Sequence, residues 1–137
     1  MTTIRLATTQ DIPDCLEASA SRKDVFFTKE DFVRALDDSN AIYLVAEEDE
    51  KIAGFVIGYA NPTKNEEAMI QSTMVNARHG NKGIGSTLVR AFADHAFGSG
   101  VNRVFAEVED GPDRFYEKCG FKRAYEWHSM CLSGLTT

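Results

Sequence analysis

The chain has 137 residues, of which 43% are hydrophobic and 26% charged, and these values are typical of one globular domain. Its net charge of −6 argues against nucleic acid or an anionic membrane as the main partner and suits a cationic ligand. No apolar run approaches the roughly 20 residues of a membrane-spanning helix. The start of the chain lacks the basic head and apolar run of a signal peptide. The sequence therefore predicts a single cytoplasmic domain over residues 1–137.

The three cysteines lie far apart in the sequence and form no Cys-x-x-Cys pair. Cysteine-based zinc sites need such close pairs, so we expect no metal site. An odd number of cysteines without a secretory signal favours reduced thiols, which agrees with a cytoplasmic protein.

The N-terminal part predicts one strand followed by two helices. Thr3–Leu6 is the strand, and Asp11 is the expected N-cap of a helix that has Pro13 in its first turn. Thr28, with Asp31 three residues later, forms a variant of the capping box and begins the second helix. The expected buried stripe of that helix consists of Phe32, Val33 and Leu36.

The rest of the chain alternates strands and helices. Two apolar runs, 41–46 and 52–59, flank the acidic turn 47–50 and predict a hairpin. The further expected strands are 68–75, 101–108, 121–125 and 127–132, with a short helix over 111–118. A longer helix follows the polar loop 76–82, and its apolar face is predicted to carry Ile84, Leu88, Ala91, Phe92 and His95. The order β α α β β β α β α β β contains one βαβ unit beside antiparallel hairpins, so the sheet is mixed.

The segment from Val75 to Thr87 carries the clearest chemistry. A strand ends, a glycine-rich loop turns, and a helix begins whose first N–H groups have no acceptor within the helix. The glycines clear space for an anion, and Arg78, His79 and Lys82 add positive charge nearby. This arrangement predicts a cradle for a phosphate or pyrophosphate.

Two common phosphate cradles do not fit this segment. The dinucleotide-binding pattern G-x-G-x-x-G has Leu88 where it needs its third glycine. The Walker A pattern has Ser86 where its lysine must stand, which removes the charge that grips the phosphate.

The segment instead resembles motif A of the GCN5-related N-acetyltransferase (GNAT) family, which is approximately V-x-P-x-[YH]-[RQ]-x-x-G-x-[GA] followed by a helix. The matching residues are Val75, His79, Gly83 and Gly85. The sequence departs from the pattern at Ala77, where the family has proline, and at Gly80, where it has arginine or glutamine. The second departure removes one polar contact to the ligand and leaves the backbone N–H groups.

A second resemblance lies in Arg114–Phe121, which looks like motif B of the same family, F-Y-x-x-x-G-F. The N-terminal run Ile-Arg-Leu-Ala-x-x-x-Asp also looks like the first strand and helix of that family. The resemblance covers nearly the whole chain. It implies an α/β (α+β) fold with a GNAT-like mixed central sheet of about seven strands flanked by about four helices.

The resemblance also implies a function, which is transfer of an acetyl group from acetyl-CoA, as co-substrate, to a primary amine. The donor would enter where the fourth and fifth strands splay apart, and a backbone N–H would polarise the thioester carbonyl. Tyr116 would protonate the departing thiolate as general acid. The residues implied to bind the cofactor are Met74, Val75, His79, Gly80, Asn81, Lys82, Gly83, Ile84, Gly85, Ser86 and Thr87.

The sequence does not identify the general base. Some relatives use a glutamate at the position of Met69, and Glu67 lies two residues earlier on the same face of an alternating strand. Glu109 stands near the mouth of the fifth strand, where the family often has asparagine. A water chain to either carboxylate, or to bulk solvent, serves the chemistry equally well.

The sequence also identifies neither the acceptor molecule nor a partner chain. The negative charge favours a cationic amine or polyamine, while amino acids, peptides and antibiotics remain candidates. Members of the family often form homodimers. A catalytically silent acyl-CoA-binding module is the alternative function, because the departures at Ala77 and Gly80 and the lack of a clear base would suit it. A protein that binds the phosphates of a nucleotide is the third candidate function.

Overall fold

A computed structural model of the chain describes residues 2–21, 27–61, 66–79, 83–107, 113–123 and 129–133. The strands are β1 (Thr2–Leu6), β2 (Ala41–Glu48), β3 (Lys51–Asn61), β4 (Glu67–Val75), β5 (Arg103–Glu107), β6 (Lys122–Arg123) and β7 (Ser129–Ser133). The helices are α1 (Ile12–Ala20), α2 (Lys29–Asp37), α3 (Ile84–Gly98) and α4 (Asp113–Lys118). The predicted order of elements is confirmed. Within the described ranges, no helix is both long and apolar enough to cross a membrane.

The strands form one mixed seven-stranded sheet in the order β1-β2-β3-β4-β5-β7-β6. Every neighbouring pair is antiparallel except β4 and β5, which run parallel and are connected through α3. The predicted α/β fold with a mixed central sheet is therefore confirmed. The hairpin between β2 and β3 turns at Asp49 and Glu50, which both have positive φ angles.

The predicted starts of α1 and α2 are both correct, but only one of the two N-cap side chains caps its helix. Thr28 and Asp31 form a reciprocal capping box in front of α2. Asp11 stands at the N-cap position of α1, yet its side chain does not cap that helix. It accepts two hydrogen bonds from the Arg5 guanidinium, of 2.8 and 2.9 Å, and one from the backbone N–H of Thr8. The carboxylate thus fixes the turn between β1 and α1.

Two residues of the predicted apolar stripes are exposed. Val33 of α2 is 38% exposed, because Phe32 and Ala35 define the buried face and Val33 lies about 100° away from Phe32 around the helix. His95 of α3 is also exposed, and the neighbouring Ala93 and Ala96 are buried instead. Both predictions were wrong, because each helix buries a narrower stripe of residues against the sheet than its apolar spacing indicates.

Two apolar cores cover the two faces of the sheet. The α1–α2 core contains Phe32, Tyr43, Phe55 and Met74, whereas the α3 core contains Ile70, Leu88, Phe92, Val104 and Tyr116. Ile70 and Met74 are four residues apart on one strand and would share a face in a regular strand. They enter opposite cores because Ser72 pairs with Ile57 and Ile70 pairs with Gly58, which leaves Gln71 as a bulge in β4.

Candidate active site

Among the described residues, only the first part of β4 pairs with β5. These pairs run from Glu67, opposite Arg103, to Ile70, opposite Ala106, and residues 108–110, which follow β5, lie outside the described ranges. β4 then continues to Val75 with β3 as its one strand partner in the described part of the chain. The bulge at Gln71 immediately follows the last pair, and bulges bend and twist a strand. The last described pair of β4 with β5, at Ile70, is therefore where the expected splay would begin.

Tyr116 of α4 lies beside this opening. Its side chain is 8% exposed and packs edge-on against Phe115 and Phe121, with ring centroids 4.9 and 5.4 Å apart. Burial raises the pKa of the Tyr116 hydroxyl, while the nearby Thr73 hydroxyl acts in the opposite direction. The phenol therefore stays protonated at neutral pH and can act as a proton donor.

Thr73 belongs to the part of β4 that follows its last described pair with β5. Its Oγ1 atom is buried and makes no well-formed hydrogen bond with any residue the structure describes. Buried polar groups in folded proteins almost always have a partner, so this hydroxyl marks a place where another group belongs. Sequence reasoning missed Thr73, because a threonine within an apolar strand gives no functional signal by itself.

The start of α3 contains the described part of the expected phosphate cradle. Gly83 occupies the N-cap position with a φ of +74°, and a Cβ atom built there meets no atom of the described residues within 4 Å. Thr87 is exposed and bonds back to the Gly83 carbonyl through its backbone N–H and its hydroxyl. Gly83 therefore presents an open helix N-terminus with room for a ligand.

The other described residues of the predicted cradle have packing roles. A Cβ atom at Gly85 would lie 3.2 Å from the Phe115 ring and 3.7 Å from Val75, so this glycine lets α4 approach α3. Ile84 is 2% exposed and belongs to the α3 core. The Ser86 side chain contacts the Cys119 thiol, whose pKa is raised by burial. The glycine spacing alone could not separate these roles.

The segment that follows β4 is tied to α1. The Arg78 guanidinium forms an ion pair of 2.9 Å with Glu17, and the Asn76 amide donates to the same carboxylate at 3.4 Å. The side-chain oxygen Oδ1 of Asn76 accepts a hydrogen bond from the backbone N–H of Arg78. We expected Arg78 to add charge to the cradle, and its exposed guanidinium pairs with Glu17. Glu17 and Asn76 were not singled out in the sequence, because their pairing depends on how α1 packs against the sheet.

The remaining predicted site residues are scattered. Glu67 forms an ion pair of 2.8 Å with Arg103 at the paired end of β4, so the structure does not bring it to the opening. Met74 is buried in the α1–α2 core, and Val75 is partly buried against the α3 core. His79 ends a 3-10 turn over Ala77–His79. The predicted residues that lie outside the described ranges are Gly80, Asn81, Lys82 and Glu109.

The family model described as the acetyltransferase (GNAT) family matches residues 7–121, and the chain therefore belongs to that family. No curated protein matches the chain in sequence.

Solved structures of N-acetyltransferases share the fold. The ribosomal-protein-S18-alanine N-acetyltransferase from Escherichia coli superposes with a TM-score of 0.84 at 19% identity, covering 100% of this chain and 97% of that one. Ard1 from Thermoplasma volcanium gives 0.84 at 22% identity, covering 98% of each chain. PaiA N-acetyltransferase from Thermoplasma acidophilum, solved in complex with coenzyme A, gives 0.75 at 17% identity and also covers 98% of each chain. At these identities the likeness establishes the fold.

Proposed function

We propose that the protein is an N-acetyltransferase that moves an acetyl group from acetyl-CoA to the primary amine of an acceptor. The observation that carries this proposal is the buried Tyr116 side chain beside the part of β4 that has no β5 partner in the described ranges; burial raises the pKa of its phenol, which keeps the proton available. It occurs in a chain of the GNAT family, on the helix where motif B predicts the general acid.

The described residues fit a coenzyme A group in two places. The backbone of Met74 and Val75 has no strand partner on the β5 side within the described ranges, so its N–H and C=O groups can pair with an extended amide chain. Gly83 opens the N-terminus of α3, where free N–H groups and the helix dipole attract a pyrophosphate. Support also comes from the related structure solved with coenzyme A. Three or more metal-ligating side chains gather nowhere in the described residues.

Acetyl-CoA supplies an activated acyl group, and the chain supplies the groups that direct its transfer. A backbone N–H of β4 can donate to the carbonyl oxygen as negative charge develops there. Tyr116 can give its proton to the departing sulfur. The amine must also lose a proton, and we propose that water removes it, because Arg103 engages the one described candidate, Glu67. Glu67 and Glu109 remain the carboxylates to test by substitution with glutamine.

The net charge of −6 supports a cationic small molecule or peptide as acceptor. We propose that the protein acts in the cytoplasm, where reduced thiols such as the buried Cys15 and Cys119 are the ordinary state. From the family resemblance, we propose that the chain forms a homodimer.

A panel of amines tests the proposal. The purified protein is incubated with acetyl-CoA and each amine, and the released thiol is measured against the Tyr116→Phe variant. Amine-dependent thiol release that falls in the variant is the expected result. Coenzyme A binding by calorimetry, with no thiol release for any amine, would instead support the catalytically silent acyl-CoA-binding module. Displacement of bound coenzyme A by a nucleotide would support the third candidate function, a nucleotide-phosphate binder.

A further inference from the structure

The buried Thr73 hydroxyl has no role in the steps of acetyl transfer proposed above. Its Oγ1 atom makes no hydrogen bond of full geometry with a described residue, yet it lies close enough to the Tyr116 phenol to lower its pKa. Valine has the same shape and would fill this position in the strand without a polar cost. A threonine here therefore needs a reason beyond packing.

The position of Thr73 on β4 limits what its hydroxyl can reach. Thr73 lies beyond the bulge and pairs with Val56 of β3, which belongs to the α3 core. Val75, two residues further along β4, packs against that same core. Thr73 therefore points to the α3 side of the sheet, the side on which Tyr116 is buried.

The electrostatic balance at Tyr116 agrees with this placement. Burial and the Cys119 thiol both raise the pKa of the phenol, and the Thr73 hydroxyl is the one group that lowers it. A hydroxyl has this effect when it donates to the phenolic oxygen, because the donated hydrogen bond stabilises the phenolate.

We propose that Thr73 is a positioning residue for Tyr116, whose hydroxyl donates to the phenolic oxygen and leaves the phenol O–H free to point at the departing sulfur. This inference rests on the proposed function. As the carbon–sulfur bond breaks, sulfur keeps the electron pair and takes the Tyr116 proton. Thr73 then stabilises the phenolate that is left. Solvent returns a proton to Tyr116 and receives the one that the amine loses on acylation.

The test compares Thr73→Val, which deletes the hydroxyl, with Thr73→Ser, which keeps it. We expect the single-turnover rate of Thr73→Val to fall about three- to tenfold, which is the usual effect of one hydrogen bond on a rate. Thr73→Ser should stay within about twofold of the wild type, and coenzyme A affinity should stay within about twofold in both variants. Thr73→Val should cost nothing further in the Tyr116→Phe background. Should Thr73→Val fail to fold, Thr73→Ala removes the same hydroxyl and must show the same loss.

A second readout needs no substrate. Carbon-13 labelling of the tyrosine Cζ atoms reports the hydrogen bonding of each phenol, and Tyr116→Phe assigns the relevant resonance. We expect this resonance to move in Thr73→Val and to stay in place in Thr73→Ser.

The outcomes separate the two proposals. An active wild type with an unchanged rate and resonance in Thr73→Val overturns the role of Thr73 alone. An equal loss in the Tyr116→Phe background shows that Thr73 acts through another group, which also overturns it. A wild type that acetylates no amine overturns the proposed function, and the role of Thr73 with it.

Discussion

Two buried tyrosines, one on each face of the sheet, stand in similar surroundings. Tyr43 is 4% exposed and Tyr116 is 8% exposed, and each has a buried cysteine close by, Cys15 and Cys119 respectively. Burial raises the pKa of both phenols. Residue type, burial and protonation state therefore cannot tell which tyrosine takes part in chemistry.

The polar neighbours make the difference. The Tyr43 hydroxyl donates to Cys15 Sγ at 3.0 Å inside a cluster of aromatic rings that includes Phe32 and Phe55. Tyr116 instead lies beside the buried Thr73 hydroxyl, on the segment of β4 that has no β5 partner in the described ranges. A region whose polar groups are already paired contributes to stability. A strand segment whose backbone groups have no described partner can pair with a ligand.

Tyr116→Phe should give the largest effect on activity. The substitution keeps the ring and its packing, so we expect a fall of about 10²-fold in the single-turnover rate, which is the lower end for a general acid. Coenzyme A affinity should be nearly normal. The measurement uses one acceptor at saturation, so that weaker amine binding is not mistaken for slower chemistry. An unaltered rate would make Tyr116 a packing residue like Tyr43.

Asp11→Asn should give the largest loss of stability, on the side of the molecule that contains Tyr43. Burial by itself would raise the pKa of Asp11, but hydrogen bonds from Arg5 and Thr8 outweigh it and hold the pKa below its usual value. The stabilisation is therefore present above the unfolded pKa of about 3.9 and is lost as the pH falls through the folded pKa.

We expect Asp11→Asn to lower the free energy of unfolding by about 2 kcal/mol at neutral pH, because Arg5 and the Thr8 N–H lose a charged acceptor. The difference from the wild type should begin to shrink below about pH 4, where Asp11 of the unfolded wild-type chain protonates, and should shrink further as the pH falls through the folded pKa. Urea unfolding at several pH values measures this. A difference that does not change with pH would show that the asparagine acts through altered packing rather than lost charge.

Gly83→Val tests the open end of α3, on the side of Tyr116. A branched side chain would fill the space in front of the free N–H groups, so coenzyme A affinity should fall about tenfold or more, as expected for lost charge-assisted hydrogen bonds. Gly100→Val is the matched control, because Gly100 also has a positive φ and open space but lies beyond the other end of α3. Both variants carry the backbone strain, and only Gly83→Val should lose affinity in calorimetry.

Equal losses of affinity in the two glycine variants would show that strain, and not the blocked helix end, is responsible. Gly85→Val is a poorer probe, since its side chain would collide with Phe115 and disturb α4. Coenzyme A affinity unchanged in Gly83→Val would place the pyrophosphate elsewhere.

Local patterns in the sequence predicted the fold well. Pro13 and the Thr28–Asp31 capping box lie where helices begin, and their effect depends only on the neighbouring residues. The switch from helical to alternating apolar spacing near Ala41 marks the start of β2 in the same way. Such features act over a few residues and need no knowledge of the tertiary structure.

The site was predicted less completely, because its geometry depends on contacts between distant segments. Nothing within α2 shows that Val33 faces away from the sheet. The pairing of Arg78 with Glu17 spans 61 positions, and the contact of Gly85 with Phe115 is equally non-local. The face of the sheet on which Thr73 lies depends on the bulge at Gln71, which the sequence does not reveal. Motif resemblance located the region of the site without separating ligand contacts from packing.

Tyr43→Phe is the smallest and sharpest of these tests, because it repeats the Tyr116→Phe change on the other face of the sheet. The variant keeps the ring contacts with Phe32 and Phe55 and removes the hydrogen bond to Cys15. A thiol is a weak acceptor that loses little when left alone, so we expect a loss of about 1 kcal/mol in the free energy of unfolding. For a domain of this size, that loss lowers Tm by about 4 °C. The single-turnover rate should stay within about twofold of the wild type. A rate loss as large as that of Tyr116→Phe would mean that removing any buried phenol slows the protein, and that Tyr116→Phe alone does not identify a general acid.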